Sequence, residues 1–248
     1  MPRIAREKSD SGIYHVYAHG KQTKPLTKMI DDMEELCAIL YVSKERFDFD
    51  LYAFCITKNE IHLVIKEKKE MEVSLIMKFI LSVYTKYYNR RYGEEGTLIH
   101  DRFRSKPVGD GEPLKAAVRY VHQLPVLLGE TKRVNDYEFS SYDGYFKGNT
   151  YVEREKILSM FGQGQMALTQ FKIYHAFMEF NKYQKQKRVK YTHEELQSIL
   201  LKVSKISEEE IKKLKQADKL KIARQLKNST DLSLRQIEAI CHVSRAMI

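Results

Sequence analysis

The feature that most constrains this chain is a change of hydrophobic period, repeated in a set order across its first half. Gly12 to His19 alternates, with Ile13, His15 and Tyr17 on one side and Tyr14, Val16 and Ala18 on the other, which is the period of a strand. Asp31 to Val42 then puts Met33, Leu36, Cys37 and Leu40 at helical spacing, with Asp31 or Asp32 suited to the first turn. Phe49 to Thr57 and Glu60 to Lys66 read as strands joined by a tight turn at Lys58-Asn59. A long helix follows from about Val73 to Tyr92, with Ile76, Phe79, Ile80, Val83 and Tyr87 facing inward and Gly93 ending it. Phe103 to Val108 supplies a fourth short strand, and Pro113 opens a helix to about Leu124. The order β-α-β-β-α-β plus one helix predicts an α+β chain built on a ferredoxin-like antiparallel sheet, with helices over one face.

Past Tyr145 the strand signals stop. The pattern divides the chain into residues 1–147, a basic helical linker over 148–190 and an all-helical region over 191–248. Within the linker, KYQKQKRVK at 182–190 carries five basic residues and no acid. The last stretch, LSLRQIEAICHVSRAMI, suits a helix-turn-helix: Ser233 as N-cap, a helix through Ile240, a turn at His242-Val243 and Ser244 starting a second helix. Plain three-helix packing accounts for it equally well.

The net charge of +10 and pI near 9.3 call for a polyanionic partner, nucleic acid ahead of a membrane surface. No apolar run approaches the ~18–20 residues of a membrane span, and no signal-peptide pattern opens the chain. Cys37, Cys55 and Cys241 are odd in number, far apart and in no metal-type spacing, and they read as reduced thiols of a cytoplasmic protein.

Several motifs carry chemistry. Asn59-Glu60-Ile61-His62-Leu63 sets Glu60 and His62 on one face of a strand, where both can reach one ion. The helix near 113–124 contains Arg119-Tyr120-Val121-His122-Gln123-Leu124-Pro125, with Leu114, Ala117, Val118 and Val121 on its buried face and Tyr120 on the flank. On the long helix Lys86, Arg90 and Arg91 lie among Tyr84, Tyr87, Tyr88 and Tyr92, and Arg102, Arg104 and Lys106 alternate along DRFRSKPV. Cations beside rings suit a single strand, holding phosphates and stacking bases. A core-facing tyrosine stripe with solvated charges opposite accounts for Tyr84 and Tyr87. His15, His19 and His100 read as surface or packing residues.

Taken in order with MPRIAREKSDSGIYHVYAHG and YEFSSYDGY, these motifs resemble the REP-associated tyrosine transposases, the single-tyrosine branch of the HUH endonucleases, over about residues 1–145. The resemblance implies a ferredoxin-like fold and cleavage and rejoining of single-stranded, hairpin-forming DNA through a 5′-phosphotyrosine intermediate. It places Tyr120 at the nucleophile and a divalent metal, Mg²⁺ or Mn²⁺, at Glu60 and His62. Lys86, Arg90, Arg91, Arg102, Arg104 and Lys106 are then the DNA-contacting cations. Two positions depart from the family pattern. Glu60 stands where the first metal-binding histidine is expected, and a carboxylate is a competent ligand for a hard ion. Leu124 stands where an asparagine one turn after the tyrosine is expected, and it cannot ligate. The alternative is therefore a domesticated DNA-binding protein that keeps hairpin recognition without catalysis. A sheet-based RNA binder would explain charge and fold but not the ordered motifs. Monomer and homodimer stay equally open.

Overall fold

The structure, a computed structural model, describes residues 7–21, 24–69, 72–148, 151–177, 192–230, 232, 234–244 and 247. The chain divides into two compact units, Met1–Met178 and Glu179–Ile248.

The first unit is built on strands β1 (Ile13–His19), β2 (Asp50–Ile56), β3 (Glu60–Lys66) and β4 (Arg104–Pro107), paired antiparallel in the order β2-β3-β1-β4. Helix α1 (Ile30–Phe47) links β1 to β2, α2 (Glu72–Tyr92) links β3 to β4, and α3 (Glu112–Leu127) follows β4. This is the ferredoxin-like order expected from the alternating periods.

The sheet's two faces separate by side-chain alternation. One carries Tyr14, Val16, Ala18, Ile61, Leu63 and Ile65, and α1 lies over it with Tyr41 edge-on to Phe54. Helix α2 packs on α1, with Phe47 against Phe79 and the Arg46 guanidinium over the Phe79 ring. The other face carries His15, Tyr17, His19, Glu60 and His62, and α3 lies over that one. Helices thus cover both faces, not the single face expected, because the segment after β4 returns across the open side.

The buried stripe of α2 also differs from the expected one. It runs through Val73, Ile76, Met77, Ile80, Tyr84 and Tyr88, while Val83 is exposed and Tyr87 only half-buried. The shift is about one residue, ~100° on a helix. Buried tyrosine can serve as core where its hydroxyl finds a carbonyl, as Tyr84 does at Leu26 O (2.7 Å).

The β2 edge does not face solvent as bare backbone. The segment 137–145 lies along it: Ile56 N–H donates to Phe139 O, Ser141 N–H to Phe54 O and Tyr145 Oη–H to Tyr52 O. Short α4 (Gly144–Lys147) and α5 (Arg154–Leu158) lead to α6 (Gly164–Ala176), which packs on α3. The first unit therefore takes in residues beyond 147, where the sequence pattern divides the chain. The basic run 182–190 lies outside the described residues.

The second unit contains α7 (His193–Ser204), α8 (Glu208–Lys213), α9 (Gln216–Ser229) and α10 (Leu234–Cys241). Thr192 with Glu195 and Ser207 with Glu210 form capping boxes that start α7 and α8. Leu196, Leu200, Ile211, Leu226, Ile237 and Ile240 make its core. The buried Glu208 carboxylate accepts from Gln197 and lies 2.9 Å from His193 Nε2 and 3.0 Å from His242 Nε2, tying α7, α8 and the turn after α10 together. Helix α10 is followed by a left-handed turn at His242. Ser233 and most of the residues that would form the second helix of a helix-turn-helix lie outside the described residues. Cys37, Cys55 and Cys241 form no disulfide. No helix among the described residues is long and apolar enough to cross a membrane.

Candidate active site

The α3-covered face holds a row of aromatic and titratable side chains that the antiparallel register brings together. Pairing β1 with β3 sets Tyr17 opposite His62 and His19 opposite Glu60. The His62 ring stacks on Tyr17 with centroids 5.1 Å apart, and His15 lies beside it on the same strand face as Tyr17. His15 and His62 are only 2% and 3% exposed. Tyr120 descends from α3 with its ring 5.6 Å from His15 and 6.1 Å from His62, edge-on or tilted to both.

Hydrogen bonds order this row. His62 Nε2 is 3.0 Å from Glu60 Oε2, His15 Nε2 is 3.0 Å from His62 Nδ1, and His19 Nδ1 is 3.3 Å from Glu60 Oε1. Burial pushes the Glu60 carboxyl up, but hydrogen bonds from His19 and His62 outweigh it and hold the group well below the usual carboxylate range. An ionised carboxylate only accepts, so His62 donates to it from Nε2. Its Nδ1 faces His15 Nε2, and the two share the next hydrogen bond. Burial, then His62 and Lys106, lower the His15 pKa well below its ordinary value and keep that ring neutral. The result is a hydrogen-bonded chain through His15, His62 and Glu60.

Burial first, then the charges of Glu60 and Tyr17, push the Tyr120 phenol up to about 12. Leu124, one turn further along α3, is buried. Arg104 and Lys106 lie across from Tyr17 and His15 on the sheet edge. Lys106 Nζ is 5.9 Å from the centre of the Tyr17 ring, and burial, then Arg104, lowers its pKa.

The fit to a divalent ion can be judged from the donor atoms. Ligands at ~2.1 Å in octahedral geometry stand about 3 Å apart when adjacent. The 3.0 Å between Glu60 Oε2 and His62 Nε2 matches that spacing. Among the described residues no group of three or more His, Cys, Asp or Glu side chains is disposed to hold a metal ion. Glu60 and His62 thus stand at a spacing that two ligands of one ion would need.

The other cations named from the sequence are dispersed. Lys86 and Arg90 are exposed on α2, which packs with α1 away from the Tyr120 face. Arg91 is engaged structurally: its guanidinium pairs with Asp31 (2.7 Å) and donates to Tyr87 Oη (2.6 Å), holding α2 to α1. Arg102 precedes β4, so strand alternation does not align it with Arg104 and Lys106; it lines a cavity with Lys86 instead.

His15 and His19 are the site residues that sequence reasoning missed. The signal was present in part, since 15, 17 and 19 share a parity. Only the pairing of β1 with β3 brings them against Glu60 and His62. A second histidine pair occupies the far side of α3. His122 Nε2 is 2.7 Å from Ser141 Oγ, His122 Nδ1 is 3.0 Å from His175 Nε2, and His175 Nδ1 is 2.8 Å from Phe171 O.

No curated protein matches the chain. The structure of a REP-associated tyrosine transposase bound to a REP hairpin is similar at a TM-score of 0.51 and 16% identity, over 60% of this chain and 87% of that one. A crystal structure of a Deinococcus radiodurans R1 protein assigned as a transposase aligns at a TM-score of 0.34 and 14% identity, over 44% of this chain and 88% of that one. The family model of IS200-like transposases matches residues 8–124, from before β1 through the Tyr120 helix to Leu124. The N-terminal unit is thus similar to the IS200-like transposases over a little under half of the chain.

Proposed function

We propose that the N-terminal unit binds single-stranded, hairpin-forming DNA and cuts and rejoins it with Tyr120 as nucleophile. The observation that carries this reading is the placement of Tyr120 directly over the His15–His62 pair, on the face shared with Glu60, Arg104 and Lys106. Arg104 and Lys106 supply the charge that draws a phosphate backbone to that edge. Tyr120 Oη would bond to phosphorus as the bond to the 3′ oxygen breaks, the phenolic proton leaving and the 3′ oxygen ending as a hydroxyl. Glu60 and His62 would hold Mg²⁺ or Mn²⁺, which when bound supplies charge that polarises the phosphate. His62 can turn Nε2 from donor to ligand only if its proton moves to Nδ1. Neutral His15 permits this, because its Nε2 can accept as readily as donate.

A second reading, a hairpin-binding protein without catalysis, draws on two observations. Tyr120 is held in its protonated form by burial and by Glu60, and buried Leu124 offers no ligand.

The deciding experiment incubates the full chain with single-stranded hairpin DNA and Mg²⁺ or Mn²⁺ and looks for a covalent protein–DNA adduct. The expected outcome is an adduct that Tyr120→Phe abolishes, with hairpin affinity kept within about threefold, a change below ~0.7 kcal/mol. An adduct that survives Tyr120→Phe removes the nucleophile assignment. Hairpin binding with no adduct under any divalent ion establishes the second reading.

A further inference from the structure

Tyr17 has no part in the cleavage read above, yet the site is assembled against it. Strand alternation puts it between His15 and His19 on the α3-covered face, and the β1–β3 register sets it opposite His62. It is buried, and its ring touches all three imidazoles. His62 lies nearly parallel to it, at 11° with centroids 5.1 Å apart, and His15 is stacked on it at 5.4 Å. His19 meets it edge-on, at 82° and 5.4 Å. The two imidazoles that meet the Glu60 carboxylate therefore stand nearly perpendicular to each other, at 85°.

A histidine ring turns about a soft terminal torsion that is broad and roughly two-fold. Strand pairing fixes where the His62 Cβ lies, but not the plane of its ring. The bonds to Glu60 and His15 need one plane, with Nε2 toward the carboxylate and Nδ1 toward His15 Nε2. A half-turn about the torsion keeps that plane and puts ring carbons where both nitrogens were. The hydrogen bonds thus choose between two half-turns, and the flat Tyr17 face chooses the plane. An aliphatic side chain at this position would fill the volume without choosing.

We infer that Tyr17 is a positioning residue of this site, a platform that sets the His62 and His19 rings for Glu60 and so keeps Glu60 and His62 at the spacing one divalent ion needs. The ring acts, not the hydroxyl. The inference rests on the metal-assisted reading above and adds to it a residue that acts through two others.

The test compares, in the full chain, Tyr17→Phe, which keeps the platform, with Tyr17→Leu, which keeps apolar volume and removes it. Mn²⁺ affinity in the absence of DNA is read by electron paramagnetic resonance. The ring N–H protons of the His15–His62–Glu60 chain are followed by ¹H–¹⁵N NMR in the absence of metal. Tyr17→Leu should lose about tenfold in Mn²⁺ affinity, the lower end of what losing the support behind a metal ligand costs, while Tyr17→Phe stays within about threefold of wild type. The ring N–H signals should persist in wild type and Tyr17→Phe and be lost to solvent exchange in Tyr17→Leu. A residue that only packs would lower the melting temperature of Tyr17→Leu and leave the Mn²⁺ affinity of the folded chain unchanged. That result overturns the inference and leaves the metal reading standing. Equal losses in the two variants assign the effect to the hydroxyl and overturn it as well. Should Tyr17→Leu not fold by circular dichroism, Tyr17→Met, unbranched and adaptable, is measured in its place against the same outcomes. If wild type takes up no Mn²⁺, the metal reading falls and the NMR signals decide the platform by themselves: their persistence in Tyr17→Leu overturns it.

Discussion

Helix α3 separates two histidine pairs with the same internal spacing, 3.0 Å between ring nitrogens, and with opposite surroundings. On one side the chain from His15 through His62 ends on the Glu60 carboxylate, beside Tyr120 and the Arg104–Lys106 edge. On the other side His175 donates from Nδ1 to Phe171 O, so its Nε2 accepts from His122 Nδ1, and His122 Nε2 accepts from Ser141 Oγ. That second chain runs from a hydroxyl to a carbonyl, carries no charge and joins the β2 edge, α3 and α6. A buried histidine pair is thus no indicator of chemistry in itself. What terminates the chain decides: an ionised carboxylate beside a phenol can change its ligands and protons, whereas a helix carbonyl only holds.

The largest expected effect breaks the closed chain. His122→Ala should destabilise the first unit by about 2–4 kcal/mol in urea denaturation, because it opens a cavity and strands Ser141 and His175. His62→Ala should cost less, about 1–2 kcal/mol, since Glu60 keeps His19 and lies nearer solvent. Equal losses would mean that both pairs are structural staples.

Acid distinguishes the two chains next. Burial comes first among the causes that lower His15, His122 and His175, the last to about 3. The unfolded chain takes up these protons near pH 6.5, so stability is full above that value and falls as pH drops toward the folded values. Each such histidine contributes a slope of about 1.4 kcal/mol per pH unit. Glu60 acts in the same direction but only below about pH 4.3, where the unfolded carboxylate protonates. His175→Gln should flatten the slope between pH 6 and 4.5 by one histidine's share. A pH-independent stability across that range would show that these rings are not held neutral.

Charge at the open side is expected to act on binding alone. Arg104→Ala with Lys106→Ala should make the slope of log affinity against log salt for single-stranded DNA shallower, by about 0.7 for each phosphate no longer neutralised. A folded double variant with an unchanged slope would make the row a solvated edge. The smallest effect sharpens the link between carboxylate and phenol. Glu60→Gln removes one cause that raises Tyr120, so its titration, followed by tyrosine ¹³C NMR and assigned with Tyr120→Phe, should fall below about 12. It should stay above the ordinary value of ~10, because burial is the larger cause and persists.

Much of this is legible in the residues themselves. Alternation specifies the four strands and their order, since a period of two has no helical reading over Ile13–His19 or Glu60–Lys66. The pair Glu60 and His62 follows from the same parity, and Tyr120 from its place on the α3 flank. Other features are not legible, for one physical reason. His15 and His19 join the site through inter-strand register, and His122 meets His175 across 53 residues of chain. The α2 stripe is misread in one dimension because Tyr84 and Tyr88 count as amphipathic until Leu26 O supplies a partner for the first of them. Arg91 looks free along the chain and is bound to Asp31 in space.

The sequence by itself determined the order of strands and helices along the chain, the basic character and the presence of a tyrosine, a histidine and a carboxylate in strand and helix positions where they could meet. These are local quantities, set by side-chain period, charge and spacing within one element. Tertiary structure alone decided which histidines are protonated where, how far the Tyr120 phenol is from ionising and which cations remain uncompensated. Those depend on burial and on partners far along the chain. Desolvation of Tyr120 exists only once α3 closes over the sheet.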